Sequence, residues 1–237
     1  MNKLAVITGA SRGIGKTCSL QFAALGYQTV LIARNELKLK QIAEEIRISK
    51  PEVPNPFLLA INITDQKSIE SGIQKVIEKF GRIDVLVNNA GIYLEGTSEL
   101  SIENFEEQLN TNLTAAFGLI KNIVPIMKKQ KQGYIFNIAS RAGKVGFAES
   151  GGYSASKFGL VGLSESLFRE LAGFGISVTA ICPGWVDTEM AYEAGTLLEA
   201  TEMIQTLDIF KAMEWLLNLS PNARVKELII ESAKSIH

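Results

Sequence analysis

Lys3-Leu-Ala-Val-Ile-Thr-Gly-Ala-Ser-Arg-Gly-Ile-Gly15 is the stretch from which the rest of the chain is read. Leu4 to Ile7 is a short apolar run with β-branched residues. A glycine-rich turn follows, and Lys16 to Leu25 has helical spacing. Apolar run, glycines and helix within one βα unit are what a dinucleotide site requires. Gly9 permits the tight turn. Gly13 lets backbone approach a pyrophosphate, whose charge is met by amides at the helix N-terminus. Gly15 lets the helix pack close to the strand. The spacing is G-x3-G-x-G rather than G-x-G-x-x-G, and such a turn also occurs as a flexible surface loop. The downstream sequence has to decide.

Downstream, apolar runs alternate with helical stretches. Strands are predicted at Gln28–Ala33, Phe57–Ile61, Val85–Val87, Tyr134–Ala139, Ser177–Ile181 and Leu228–Ile230. Helices are predicted at Glu36–Ser49, Gln66–Phe80, Ile102–Lys129, Ser154–Phe174 and Met203–Leu219, with Pro125 kinking or ending the longest. Strands separated by helix-length segments imply right-handed crossovers and a parallel sheet covered on both faces. The expectation is an α/β, Rossmann-type doubly wound sheet in a single domain over 1–237. In such sheets ligands bind outside the carboxyl ends of the strands. Those ends carry Thr8–Gly15, Ala33–Arg34, Asn62–Ile63, Asn88–Gly91, Ser140 and Pro183–Gly184. Every distinctive polar or glycine cluster therefore falls on one rim.

Composition narrows the chemistry. The 237 residues are 46% hydrophobic and 21% charged, ordinary values for a chain with a large core. A net charge of −1 gives no reason to expect nucleic-acid or anionic-membrane binding. No apolar stretch approaches transmembrane length, and the first apolar run ends too early for a signal-peptide core. Cys18 and Cys182 read as small buried hydrophobes of a cytoplasmic protein. The single histidine is His237, which excludes a Ser-His-Asp triad, a Cys-His pair or a histidine-bearing metal cluster from the core. Acid–base chemistry is left to Tyr, Lys, Asp, Glu or Ser.

Tyr153-Ser-Ala-Ser-Lys157 meets that requirement. On a helix the two end residues stand one turn apart and face the same way. A free tyrosine titrates near pH ~10, too high for acid–base work at neutrality, and a nearby ammonium favours the phenolate. Tyr153 is thereby expected to titrate below its ordinary range. Y-x3-K also occurs by chance on solvated helix faces. Ser140, after the strand Tyr134–Ala139, either bonds a substrate oxygen as it gains charge or caps a turn.

Together, T-G-A-S-R-G-I-G at 8–15, N-N-A-G at 88–91, Asn112, Ser140, Tyr153, Lys157 and P-G at 183–184 resemble the short-chain dehydrogenases/reductases. The resemblance covers roughly residues 3–190, in order and at the family's spacings. It implies that Tyr153 is the general acid/base, that Lys157 lowers its pKa and bonds the nicotinamide ribose, and that Ser140 orients the substrate carbonyl. Asn112 would hold a water linking Lys157 to solvent. Cofactor contacts are implied for Gly9, Ser11, Arg12, Gly13, Ile14, Gly15, Asn62, Ile63, Asn88, Ala90, Gly91, Tyr153, Lys157, Pro183, Gly184, Val186 and Thr188. Asn89 is expected to steady the sheet. No metal site is implied.

Charge selects the cofactor. Relatives that use NAD carry an acid at the end of the second strand, where this chain has Ala33 followed by Arg34. Arg12 lies on the same side. Two guanidinium groups and no carboxylate suit a 2′-phosphate, so NADP(H) is expected. Asn62 departs from the family's usual aspartate but can still accept a bond from the adenine amino group. The ending V-K-E-L-I-I-E-S-A-K-S-I-H departs from the family's Gly-Gly segment. Residues at about 188–201 fall where the family keeps its substrate lid; Tyr192, Leu197 and Leu198 either face an apolar substrate or pack.

The expected activity is NADPH-dependent reduction of a ketone or aldehyde, of broad carbonyl or 3-hydroxy-acid type. Reduction of a 3-oxoacyl-[acyl-carrier-protein] is the alternative, and Lys128, Lys129 and Lys131 are either a basic patch for that carrier or a solvated helix end. A dinucleotide-binding sensor without turnover is the rival of another class. A small-molecule carbonyl or alcohol substrate is expected. So is a homo-oligomer, dimer or tetramer, built on the Ile102–Lys129 and Ser154–Phe174 helices.

Overall fold

A computed structural model describes residues 2–235; His237 lies outside them. Seven strands form one parallel sheet in the order β3-β2-β1-β4-β5-β6-β7. They are β1 (Leu4–Thr8), β2 (Gln28–Ala33), β3 (Phe57–Ala60), β4 (Val85–Asn88), β5 (Gly133–Ile138), β6 (Ile176–Pro183) and β7 (Glu227–Ile230). The order reverses between β1 and β4, which opens a crevice at the carboxyl ends of those two central strands. β1 is fully buried along its length, as a strand covered on both faces must be.

Helices α1 (Gly13–Ala24) and α2 (Glu36–Ser49) cover one face, joined by α8 (Thr206–Leu217). Their core includes Cys18, Phe22, Leu39, Ile42 and Phe210 against Ile7, Leu31 and Val87. The other face carries α3 (Gln66–Phe80), α4 (Ile102–Leu109), α5 (Ala115–Gln130) and α6 (Gly151–Leu171), whose core includes Ile69, Ile73, Leu119 and Ile123 against Val6, Val30 and Leu86. A short α7 (Glu189–Glu193) follows β6. Asp84, buried below β4, accepts the Leu4 amide at 2.7 Å and a two-pronged contact from Arg82, fixing the start of β1 against β4.

The long helical stretch is not interrupted where proline suggests. Helix α5 runs through Pro125 to Gln130. Pro125 and Lys121, whose carbonyl loses its helical partner, are both on the exposed side, where water can accept that role. The irregularity falls earlier, at a π-helical turn over Asn110–Thr114 between α4 and α5. Such turns concentrate at functional sites. Here it brackets Asn112.

Candidate active site

The strand ends open into a cleft of about 1170 Å³. That exceeds the usual range for a drug-sized ligand, as an extended dinucleotide with a substrate beside it demands. At its floor the glycine turn is held from below. Thr8 Oγ1 accepts the amides of Asn89 and Ala90 at 3.0 and 3.1 Å, and Asn89 Nδ2 donates to the Thr8 carbonyl at 3.0 Å. Gly9 and Gly13 have φ of +61° and +52°, the left-handed region that glycine enters at least cost. A Cβ on Gly15 would overlap the Gly9 carbonyl oxygen, so that residue is the contact between turn and helix. Gly15 is buried behind the turn and does not line the cleft.

Helix α1 starts at Gly13 with no side-chain cap and no acid in its first turn. Its N-terminal amides open beside Ser11, Arg12, Gly13 and Ile14, all on the cleft wall. Unclaimed amides at a helix N-terminus suit a pyrophosphate. Ala33 and Arg34 from the end of β2, and Asn62, Ile63 and Thr64 after β3, line the same half. Asn62 Oδ1 accepts the Thr64 amide at 3.2 Å, which shapes that loop. Arg12 is not free. Its Nη1 lies 2.6 Å from Glu189 Oε2 and 3.3 Å from Glu193 Oε1, both on α7.

Besides Gly15, one more implied cofactor contact lies off the cleft wall. Asn88 is turned into the sheet, donating to Asn137 Oδ1 at 2.9 Å, and is buried away from the cleft. Its neighbour Asn89, just past β4, lines the rim as well as steadying the turn. Ala90, Gly91, Pro183, Gly184, Val186 and Thr188 all line the cleft.

Ser140, Tyr153 and Lys157 all line the cleft. Ser140 follows β5 and accepts the Ala142 amide at 3.0 Å, so it caps a turn and also faces the cleft. Lys157, one turn beyond Tyr153 on α6, is buried and donates to the Ile138 carbonyl at 2.8 Å. Its ammonium lies 5.5 Å from the centre of the Tyr153 ring. A Cβ on Gly91 would stand 3.1 Å from Asn112 Oδ1 and 3.6 Å from Lys157 Nζ, which leaves that approach to a residue without a side chain.

The electrostatics correct one expectation. Tyr153 is not drawn below its ordinary range; burial pushes it up to about 12, with the Ser140 hydroxyl acting in the opposite direction. Burial also lowers Lys157 to about 8. Desolvation penalises both charged forms, and the ammonium is directed at the Ile138 carbonyl and the ring rather than at the phenol oxygen.

The Asn112 side chain bonds the chain after β4 and helix α6: Oδ1 accepts the Ile92 amide at 2.8 Å, and Nδ2 donates to the Ile92 carbonyl at 2.9 Å and Ser156 Oγ at 3.0 Å. It clamps the chain after β4 to α6 from behind the cleft wall. In the stretch at about 188–201, Leu197 and Leu198 border the cleft, whereas Tyr192 is exposed and bonds Asp187 at 2.9 Å.

Three contributions were missed in the sequence. Tyr93 packs edge-on against Tyr153 with ring centres 5.4 Å apart, and its place two residues past N-N-A-G was the available signal. Phe147 and Trp185 add aromatic surface to the cleft wall. Lys234 and Ser235 also reach the cleft, because Arg141 holds the segment after β7 through Glu231 at 3.0 Å and the Ser235 carbonyl at 2.7 Å. No local pattern links those positions.

The sequence profile of the short chain dehydrogenase family matches residues 3–197. The chain belongs to that family. This short-chain dehydrogenase is 37% identical over 192 residues to the 3-oxoacyl-[acyl-carrier-protein] reductase FabG of Staphylococcus aureus, covering 80% of this chain and 77% of that protein. It superposes on a betaketoacyl-[ACP] reductase (FabG) from Bacteroides thetaiotaomicron with TM-score 0.90 and 42% identity, over 100% of this chain and 99% of the other. The NADP-bound protein ElxO superposes with TM-score 0.88 and 31% identity, over 98% of each chain.

Proposed function

We propose that this short-chain dehydrogenase is an NADPH-dependent reductase of ketones or aldehydes, working in reverse on the alcohol. The observation that carries the reading is Ser140, Tyr153 and Lys157 lining a cleft that also carries an uncapped helix N-terminus. NADPH, when bound, supplies the hydride. Gly9 to Ile14 and the α1 amides would hold its pyrophosphate, and Arg12 and Arg34 its 2′-phosphate. Similarity to NADP-bound ElxO supports that choice.

The chain's own groups handle the proton. With its pKa held high, Tyr153 is a neutral phenol at neutral pH and a donor to the substrate oxygen. Ser140 would donate to the same oxygen as negative charge builds on it. Lys157 would bond the nicotinamide ribose and stabilise the phenolate left after proton transfer. Asn112 acts through the geometry of the Ile92 backbone and Ser156 rather than by touching substrate.

Tyr93, Phe147, Trp185 and Leu198 give the cleft wall aromatic and apolar surface, suited to a small-molecule carbonyl with an apolar chain. Reduction of a 3-oxoacyl thioester on a carrier protein is a second reading, favoured by the FabG relatives. The basic run lends it little: Lys128 is paired with Glu170 at 3.1 Å and lies over the Phe174 ring.

NADPH oxidation followed with free 3-oxo esters, simple ketones and a 3-oxoacyl carrier protein separates these readings. Turnover of small carbonyls alone supports the first, and strong preference for the carrier-bound substrate supports the second. Cofactor binding with no oxidation on any of them favours a sensor.

Ile102, Phe117 and Phe158 are exposed apolar residues on α4, α5 and α6, consistent with self-association through those helices as a dimer or tetramer. Light scattering at micromolar concentration tests it; a monomer would exclude it. Among the described residues no helix is long and apolar enough to cross a membrane, and both cysteines are unbridged. A cytoplasmic location accords with both.

A further inference from the structure

We propose that Glu189 and Glu193 set how strongly this cleft discriminates a phosphorylated from an unphosphorylated dinucleotide, by competing with the 2′-phosphate for Arg12. The inference rests on the NADPH reading above and adds two residues that oppose it. Arg12 carries the one guanidinium within the glycine turn, and its Nη1 alone meets both carboxylates, at 2.6 Å and 3.3 Å. Glu189 and Glu193 stand one turn apart on α7 and so face the same way. The helix is docked on the turn itself: a Cβ on Gly13 would lie 3.1 Å from Cγ2 of Thr188, the residue just before α7.

The charges agree with a real pairing. Glu189 is held below the ordinary carboxylate range, first by its hydrogen bond from Arg12 and also by the nearby charges of Arg12 and Lys38. Arg12 is raised, chiefly by the same bond to Glu189. Lys38, in the first turn of α2, thus adds a second positive charge near Glu189.

A 2′-phosphate reaching Arg12 must displace these carboxylates or lie beside them. An unphosphorylated dinucleotide has no charge at that position and disturbs neither contact. A ligand shifts an equilibrium only by its differential interaction with the two arrangements. The glutamates thus weaken binding of the phosphorylated cofactor and leave the other unaffected. All three side chains are substantially exposed, which keeps the effect modest.

Titration of the full-length protein with NADPH and NADH, read by ligand fluorescence, tests this in four proteins: wild type, Glu189→Gln/Glu193→Gln, Arg12→Gln, and the triple variant. The paired glutamine change should tighten NADPH about three- to tenfold and leave NADH within about twofold. In the Arg12→Gln background the same change should gain much less. A gain of equal size without Arg12 would mean simple repulsion rather than competition and would overturn the proposal. So would a wild type that prefers NADPH and shows no gain on glutamate removal. A wild type that does not distinguish NADPH from NADH sinks the cofactor reading itself, and this inference with it.

Discussion

The Lys157 ammonium donates to the Ile138 carbonyl at 2.8 Å while standing 5.5 Å from the centre of the Tyr153 ring. The pair is thus packed together before it is electrostatically paired. Burial, not mutual attraction, dominates both titrations.

That arrangement makes a prediction about stability. Lys157 titrates near 8 in the folded chain and near its ordinary 10.5 when unfolded. Between those values the unfolded state binds the extra proton, so stability rises with pH across that window, by up to about 3 kcal/mol. Tyr153 has the opposite sign: its raised pKa makes stability fall as pH climbs above about 10. Urea denaturation of wild type and Lys157→Met from pH 7.5 to 10 checks the first term. The variant should lose the upward slope; parallel curves would show that Lys157 is not depressed.

Tyr153→Phe keeps the ring packed against Tyr93 and removes the proton. Carbonyl reduction should fall by at least ~100-fold while NADPH binding stays within about twofold. Stopped-flow turnover combined with fluorescence titration measures both. Retained turnover would remove Tyr153 from the chemistry.

Arg34→Ala should weaken NADPH by about 1–3 kcal/mol, the value of a charge-assisted contact, and leave NADH almost unchanged. Arg34 lines the cleft just past β2 and, among the described residues, forms no salt bridge, unlike Arg12. Equal losses for the two cofactors would place the phosphate elsewhere.

Gly15→Ala tests the turn. Its methyl would overlap the Gly9 carbonyl and stand 2.6 Å from Asn89 Nδ2, so either the turn shifts or α1 retreats. A stability loss of about 1–3 kcal/mol is expected, as for other overpacked sites, together with weaker binding of both cofactors. Gly26→Ala, at φ of +81° with no atom within 4 Å, destabilises through the backbone alone and away from the turn, so it separates general destabilisation from an effect on the cleft. Similar cofactor affinities in the two variants would deny Gly15 its role at the turn.

What was legible in the sequence was local. Leu4–Thr8, the glycine turn and α1 form one continuous unit, and Tyr153 and Lys157 share a helix face because they are four residues apart. The parallel sheet followed from alternation of strand and helix lengths, and all seven strands lie close to their predicted positions. Pro125 does not end the helix, because the carbonyl it leaves without a helical partner belongs to exposed Lys121 and can bond water. Asn88 misled because its side chain turns into the sheet to bond Asn137.

The chain alone thus determined the strand order's building blocks, the rim on which the site forms and the residue types able to carry its chemistry. Periodicity and spacing are properties of neighbours along the backbone. Only the tertiary structure decided that Lys157 is buried against Ile138, that α7 delivers Glu189 and Glu193 to Arg12, and that Arg141, bonded to Glu231 and the Ser235 carbonyl, holds Lys234 and Ser235 at the cleft. Arg12 and Glu189 are 177 positions apart, and Arg141 and Ser235 are 94. Which charges end as neighbours, and how much water they keep, is settled when the two faces of the sheet are covered.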